Sequence, residues 1–108
     1  MQEGKTMRMI MLVDFPIEPF NTLVRNGTVG AKIQQALEDV KPEAVYFSER
    51  DGFRGAVLIV EVPEASRIPA LAEPFFLAFN ATVKFRIAMT AEDLAKSGLE
   101  AFGKKYPA

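Results

Sequence analysis

Two stretches of this chain are apolar on both faces of an extended backbone, and that limits the folds open to it. In Met7–Phe15, alternation puts Met9, Met11, Val13 and Phe15 on one side and Ile10 and Leu12 on the other. In Phe53–Val62 it sets Ala56, Leu58, Val60 and Val62 against Phe53, Val57 and Ile59. A sheet with water on one side alternates apolar and polar residues, so these two strands need cover front and back. Two further segments differ. Ala44–Arg50 sets Val45 and Phe47 against Ala44, Tyr46 and Ser48. Ala81–Met89 sets Val83, Phe85, Ile87 and Met89 against Thr82, Lys84, Arg86 and Ala88. One wet face suits an edge strand.

Between the strands the period changes. Phe20, Leu23, Val24, Val29, Ile33, Ala36, Leu37 and Val40 recur at helical spacing. They predict one helix from Glu18 to Asp39, kinked near Asn26–Thr28; a short helix, a loop and a second helix is the alternative. Asp51 and Gly52 predict a two-residue hairpin, because a type I′ turn needs positive φ at both central positions. Ser66–Ala72 predicts a short helix interrupted by Pro74, which lacks an amide donor and crowds the preceding turn. Asn80 is a turn. Thr90 opens a tail helix to Phe102, with Asp93 placed for a capping box and Leu94, Leu99 and Phe102 as a thin apolar stripe. Residues 1–6 read as a frayed lead or an added tail, and residues 103–108 as a loose tail. Strand, helix, strand, strand, helix, strand is the split βαβ, ferredoxin-like α+β order. Its usual sheet places strands one and three in the middle, where the doubly apolar segments belong.

Helices cover one face of such a sheet. Two lids fit the other: a second copy, giving a dimeric α+β barrel, or the tail helix folded back. The tail's three large apolar residues are few for two central strands, so the homodimer is the expectation. The 108 residues make one domain, able to bury a core without staples.

Composition excludes more than it assigns. A net charge of −1 supplies no field for nucleic acid or an acidic membrane. The chain has neither cysteine nor histidine. That removes disulfides, thiolate chemistry, Ser-His-Asp or Cys-His catalysis, and zinc sites of the usual kind. No apolar run approaches the ~20 residues of a membrane helix, and a cytoplasmic protein is the expectation. An acid–base group here would have to be a carboxylate, lysine or tyrosine, or come from the ligand.

The strings NGTVGAKIQQAL, KPEAVYF and IPALAEPFFLAFNA resemble a family of small, uncharacterised bacterial proteins of about this length. The resemblance runs from Met7 to Leu99. Some members carry a pantothenate synthetase label. Such a ligase binds ATP through histidine-containing motifs in a much larger chain, which this chain does not match. At fold level the architecture also resembles the dimeric α+β barrel group, with muconolactone isomerase and cofactor-free monooxygenases. One fold hosts many functions, so the expectation of a small organic ligand, with no metal or other cofactor, comes from the aromatic cluster behind the proline break at Pro74.

The candidate chemistry is sparse. Glu73 precedes a proline break and the cluster Phe75, Phe76 and Phe79, with Asn80 after it. The rings read most simply as an aromatic core; the alternative is an apolar pocket between helix and sheet with Glu73 or Asn80 as polar handle. A carboxylate beside phenyl rings would be pushed up by desolvation. Tyr46 could orient a carbonyl or simply hold a structural hydrogen bond. Gly27, Thr28, Gly30 and Lys32 lack the Gly-Lys pair of a phosphate loop and read as a helix kink. Amides near Thr28 could still hold a small anion. Asp14 and Arg86 share the even-numbered face of neighbouring strands and are expected to pair at the dimer seam. Three functions follow: a small-molecule binder, a cofactor-free isomerase or monooxygenase using Glu73 or Tyr46, and a structural or partner-binding dimer without a pocket.

Overall fold

The computed structural model describes residues 6–108, so the expected frayed lead lies, Thr6 apart, outside the described residues. Strands β1 (Met7–Phe15), β2 (Ala44–Arg50), β3 (Phe53–Val62) and β4 (Thr82–Ile87) form one α+β sheet in the order β2-β3-β1-β4. Every neighbouring pair is antiparallel. The two doubly apolar strands are the inner pair and the two half-polar strands are the edges.

Helices α1 (Ile17–Arg25), α2 (Val29–Val40) and α3 (Ile68–Phe79) cover one face. The register makes that face the core side. Met11 sits opposite Leu58 and Val13 opposite Ala56, so β1 contributes its odd and β3 its even residues. Met11, Val13, Phe15, Ala56, Leu58, Val60 and Val62 pack there against Ala36, Val40, Leu71, Phe75 and Phe79. Phe15 meets Phe79 edge-on at 5.1 Å and Phe20 at 5.2 Å. Burying a phenyl side chain of this kind contributes about 1.5–3 kcal/mol.

The helices depart from expectation in three places, two of them before β4. The stretch expected as one kinked helix over Glu18–Asp39 is two helices, the arrangement held as the alternative. Glu18 is still extended (φ −115°, ψ 142°), and Gly27 at φ 79° takes the left-handed turn that ends α1. The helix expected over Ser66–Ala72 and broken by Pro74 starts instead at Ile68, after a 3-10 turn at Ala65–Arg67, and runs through Pro74 to Phe79. Proline cannot bond the carbonyl of Ala70, but Ala70 is exposed and water can satisfy it. A continuous helix also keeps Leu71, Ala72, Phe75 and Phe79 buried on one stripe. Asn80 then ends α3 in the left-handed region at φ 55°, its amide donating to the Phe76 carbonyl at 3.0 Å.

The Asp51–Gly52 hairpin has φ of 53° and 83°, as a type I′ turn requires. β4 is shorter than the expected Ala81–Met89: its ladder with β1 pairs Met9–Asp14 with Thr82–Ile87, and past it the Ala88 amide still donates to the Arg8 carbonyl at 2.9 Å. The expected single tail helix is two, α4 (Ala91–Ala95) and α5 (Leu99–Lys105), separated by Gly98 at φ 82°. Residues 103–105, expected loose, belong to α5. The capping box at Thr90 forms in both directions: its hydroxyl accepts from the Asp93 amide at 3.0 Å, and Asp93 accepts from the Thr90 amide at 3.0 Å. Among the described residues, no helix is long and apolar enough to cross a membrane.

Candidate functional site

The same register that loads one face of the sheet with core leaves the other to the alternate residues. Ile10 and Leu12 of β1, and Val57 and Ile59 of β3, stand in its centre. Ala44 lies opposite Ile59 and Tyr46 opposite Val57 on β2. The four aliphatic side chains are only half-buried, and Tyr46 is 66% exposed. The tail does not cover them. No residue of α4 or α5 is buried, and Leu94, Leu99, Phe102 and Tyr106 all stay largely in solvent.

Charged groups ring this apolar centre. At one end Arg8 donates to Glu43 at 2.9 Å and to Glu61 at 3.3 Å. The hydrogen bond from Arg8 holds the Glu43 carboxyl below its usual range and keeps the Arg8 guanidinium firmly protonated. At the other end Arg50 donates to Asp14 at 2.6 Å. Lys84 and Arg86 stand along β4, opposite Leu12 and Ile10. An expected pair is corrected here. Asp14 does not join Arg86, because the register puts Asp14 opposite Thr82 and Arg86 four residues away, opposite Ile10.

The Arg50–Asp14 bond spans three strands. Arg50 is on β2, Asp14 on β1, and β3 runs between them. The stem of Arg50 crosses β3 over Gly55, the residue opposite Asp14. A Cβ on Gly55 would lie 2.6 Å from Arg50 Cγ, so only glycine leaves the path open. A lone glycine inside a strand pattern signals such a close approach, and it is the one sign of this arrangement in the sequence.

The residues singled out from sequence do not converge. Phe75 and Phe79 are 1% and 0% exposed, inside the aromatic core rather than around a cavity. Phe76, two-fifths exposed, is on the outer side of α3. Glu73 is exposed in a groove of about 630 Å³ between α2 and α3, with Lys32, Asp39 and Arg67 around it. It meets solvent rather than a phenyl pocket. Tyr46 is across the sheet from Glu73, on the bare face, so the two cannot act on one substrate atom within one subunit. Asn80 is the exposed cap of α3, beside a cleft that includes Asp14, Arg50 and Phe53. The Thr28 amide and hydroxyl both donate to Asn26 Oδ1, at 3.1 and 2.6 Å, so Thr28's own donors are already engaged. Among the described residues no His, Cys, Asp and Glu cluster is disposed to hold a metal ion.

One cleft escaped the sequence reading. Phe15, Phe20, Phe47, Phe53 and Arg54 line about 540 Å³ between α1 and the β2–β3 hairpin. The Arg54 guanidinium carbon sits 4.4 Å above the Phe20 ring centre, at a cation–π distance. These side chains come from four elements, so nothing local in the sequence joins them. Comparison of the chain with family models, with curated proteins and with solved structures finds no match.

Proposed function

We propose that this protein is a ferredoxin-like subunit of a homodimer, joined through its bare sheet face as a dimeric α+β barrel, and that it serves as an assembly and binding protein. The β2-β3-β1-β4 antiparallel order supports the fold. The face itself carries the rest of the reading. An apolar centre of Ile10, Leu12, Val57 and Ile59 lies inside a rim of ion pairs and cations. That is the anatomy of a protein interface, apolar at the core and polar at the edge. A second copy offers the same pattern, and two such faces stack at about 10 Å. The packed space between helices and sheet favours this reading over an internal catalytic pocket.

Sedimentation tests it. The protein should run as a dimer at micromolar concentration. Ile59→Lys, which puts a charge between Ile10 and Ala44, should run as a monomer with unchanged circular dichroism. A folded wild-type monomer at tens of micromolar overturns the reading.

The cleft around Arg54 favours a second role for the same protein, binding a flat aromatic carboxylate. Phenyl rings would stack on the ligand and Arg54 would hold its charge. Benzoate should perturb the phenylalanine side-chain NMR signals of the cleft, and Arg54→Gln should abolish the effect. Equal shifts in both proteins would remove this role.

A further inference from the structure

We infer that the C-terminal arm, α4 and α5, docks on the second copy of the chain and completes the interface that the sheet face begins. The inference rests on the dimer reading and adds the element that makes the dimer stable.

The arm does not earn its structure inside one subunit. Its helices are five and seven residues long. Isolated helices below about 12–15 residues are marginal in water, and a tertiary surface normally stabilises them. Here none of their residues is buried. Leu94, Leu99, Phe102 and Tyr106 are 46%, 59%, 57% and 69% exposed, a run of large apolar side chains with no cover. The chain has a radius of gyration of 17.7 Å. A compact chain of this length would have about 13 Å.

Two observations select a second copy as the occupant. The first is position. The arm leaves from the rim of the bare face: Thr90 and Asp93 border the same hollow as Arg8 and Glu61, which stand on that face. Whatever packs on the face meets the root of the arm. The second is area. A stable interface buries about 800 Å² of accessible surface on each partner. The exposed side chains of Leu94, Leu99, Phe102 and Tyr106 add apolar surface beside the sheet face, which two copies can bury toward that area. A two-fold axis delivers two arms, one from each copy.

The tyrosines give the test a direct readout. The chain has no tryptophan and two tyrosines, Tyr46 on the sheet face and Tyr106 at the end of α5. In Tyr46→Phe the only tyrosine fluorescence comes from the arm. Acrylamide quenching of that variant should weaken as protein concentration rises through the dimerisation range. In parallel, sedimentation of the chain ending at Thr90 should show dimerisation weakened about a hundredfold or more relative to the full chain, given four apolar anchors lost. Full-length protein that stays monomeric overturns the dimer reading itself. A full-length dimer whose truncated form has the same affinity overturns only the inference about the arm. Strong protection of Tyr106 at every concentration, monomer included, also overturns it, since the arm would then be covered by its own subunit.

Discussion

Gly55→Ala should lower stability in the native protein and raise it once Arg50 is gone. Two effects compete at this position. Alanine in a strand is favoured over glycine by about 0.5–1 kcal/mol, because the unfolded chain loses freedom. Against that, the new Cβ would sit 2.6 Å from Arg50 Cγ and 3.1 Å from Arg50 Cβ. The clash involves the stem of the side chain, so a rotation at its tip cannot relieve it. Arg50 must leave, and its 2.6 Å bond to Asp14 goes with it. That pair is about three-quarters shielded, with side chains 26% and 29% exposed. Its loss falls between the ~0.2–1 kcal/mol of an exposed pair and the ~3–5 kcal/mol of breaking a buried one. We take ~2 kcal/mol, which leaves Gly55→Ala about 1 kcal/mol less stable. In Arg50→Ala the pair is already absent and only the 3.1 Å contact remains, a gap that closes with a small shift. There Gly55→Ala should stabilise by about 0.5 kcal/mol. Urea unfolding of the four proteins measures the coupling, at one protein concentration because the proposed dimerisation would contribute to apparent stability. A Gly55→Ala effect of the same sign and size in both backgrounds refutes the account of Arg50 crossing β3.

Two other outcomes check the core and the charges. Phe79→Ala should cost about 3–5 kcal/mol, the range for deleting a fully buried ring, and a loss below 1 kcal/mol would mean that Phe79 borders a cavity rather than the packed core. Acidification should destabilise the fold. Glu18 is held below its usual 4.5 by the Thr22 hydroxyl and amide, Glu43 below 4.5 by Arg8, and Asp93 below 3.8 by the amide and hydroxyl of Thr90. Each folded-state value lies under its unfolded one, so between them the unfolded chain binds more protons. The stability they contribute is complete above about pH 4.5 and is lost as pH falls through the lower, folded values. A urea midpoint unchanged from pH 7 to pH 3 would contradict this.

Much of the site can be read from sequence and much cannot, and the residues show where the line falls. The doubly apolar pattern of Met7–Phe15 and Phe53–Val62 named the residues of both sheet faces, because alternation along a strand is a local property. The bare face, with Ile10, Leu12, Val57 and Ile59, was therefore legible. The roles of Glu73, Phe75 and Phe79 were not. Whether a phenyl ring fills a core or lines a pocket depends on what packs against it from strands far away in sequence. Nor was the aromatic cleft legible, since Phe15, Phe20, Phe47 and Arg54 meet only after the sheet forms.

The chain by itself determined the period of each segment, the turn at Asp51–Gly52, the capping box at Thr90 and the chemistry ruled out by the absence of histidine and cysteine. These follow from short-range sterics, hydrogen bonding and composition. Tertiary structure decided that α3 continues through Pro74, that Asp14 takes Arg50 in place of Arg86, and that the tail stands off the sheet. Each of those choices depends on which groups reach water and which meet across strands. Register and packing set that, and neither is encoded in any single stretch of the chain.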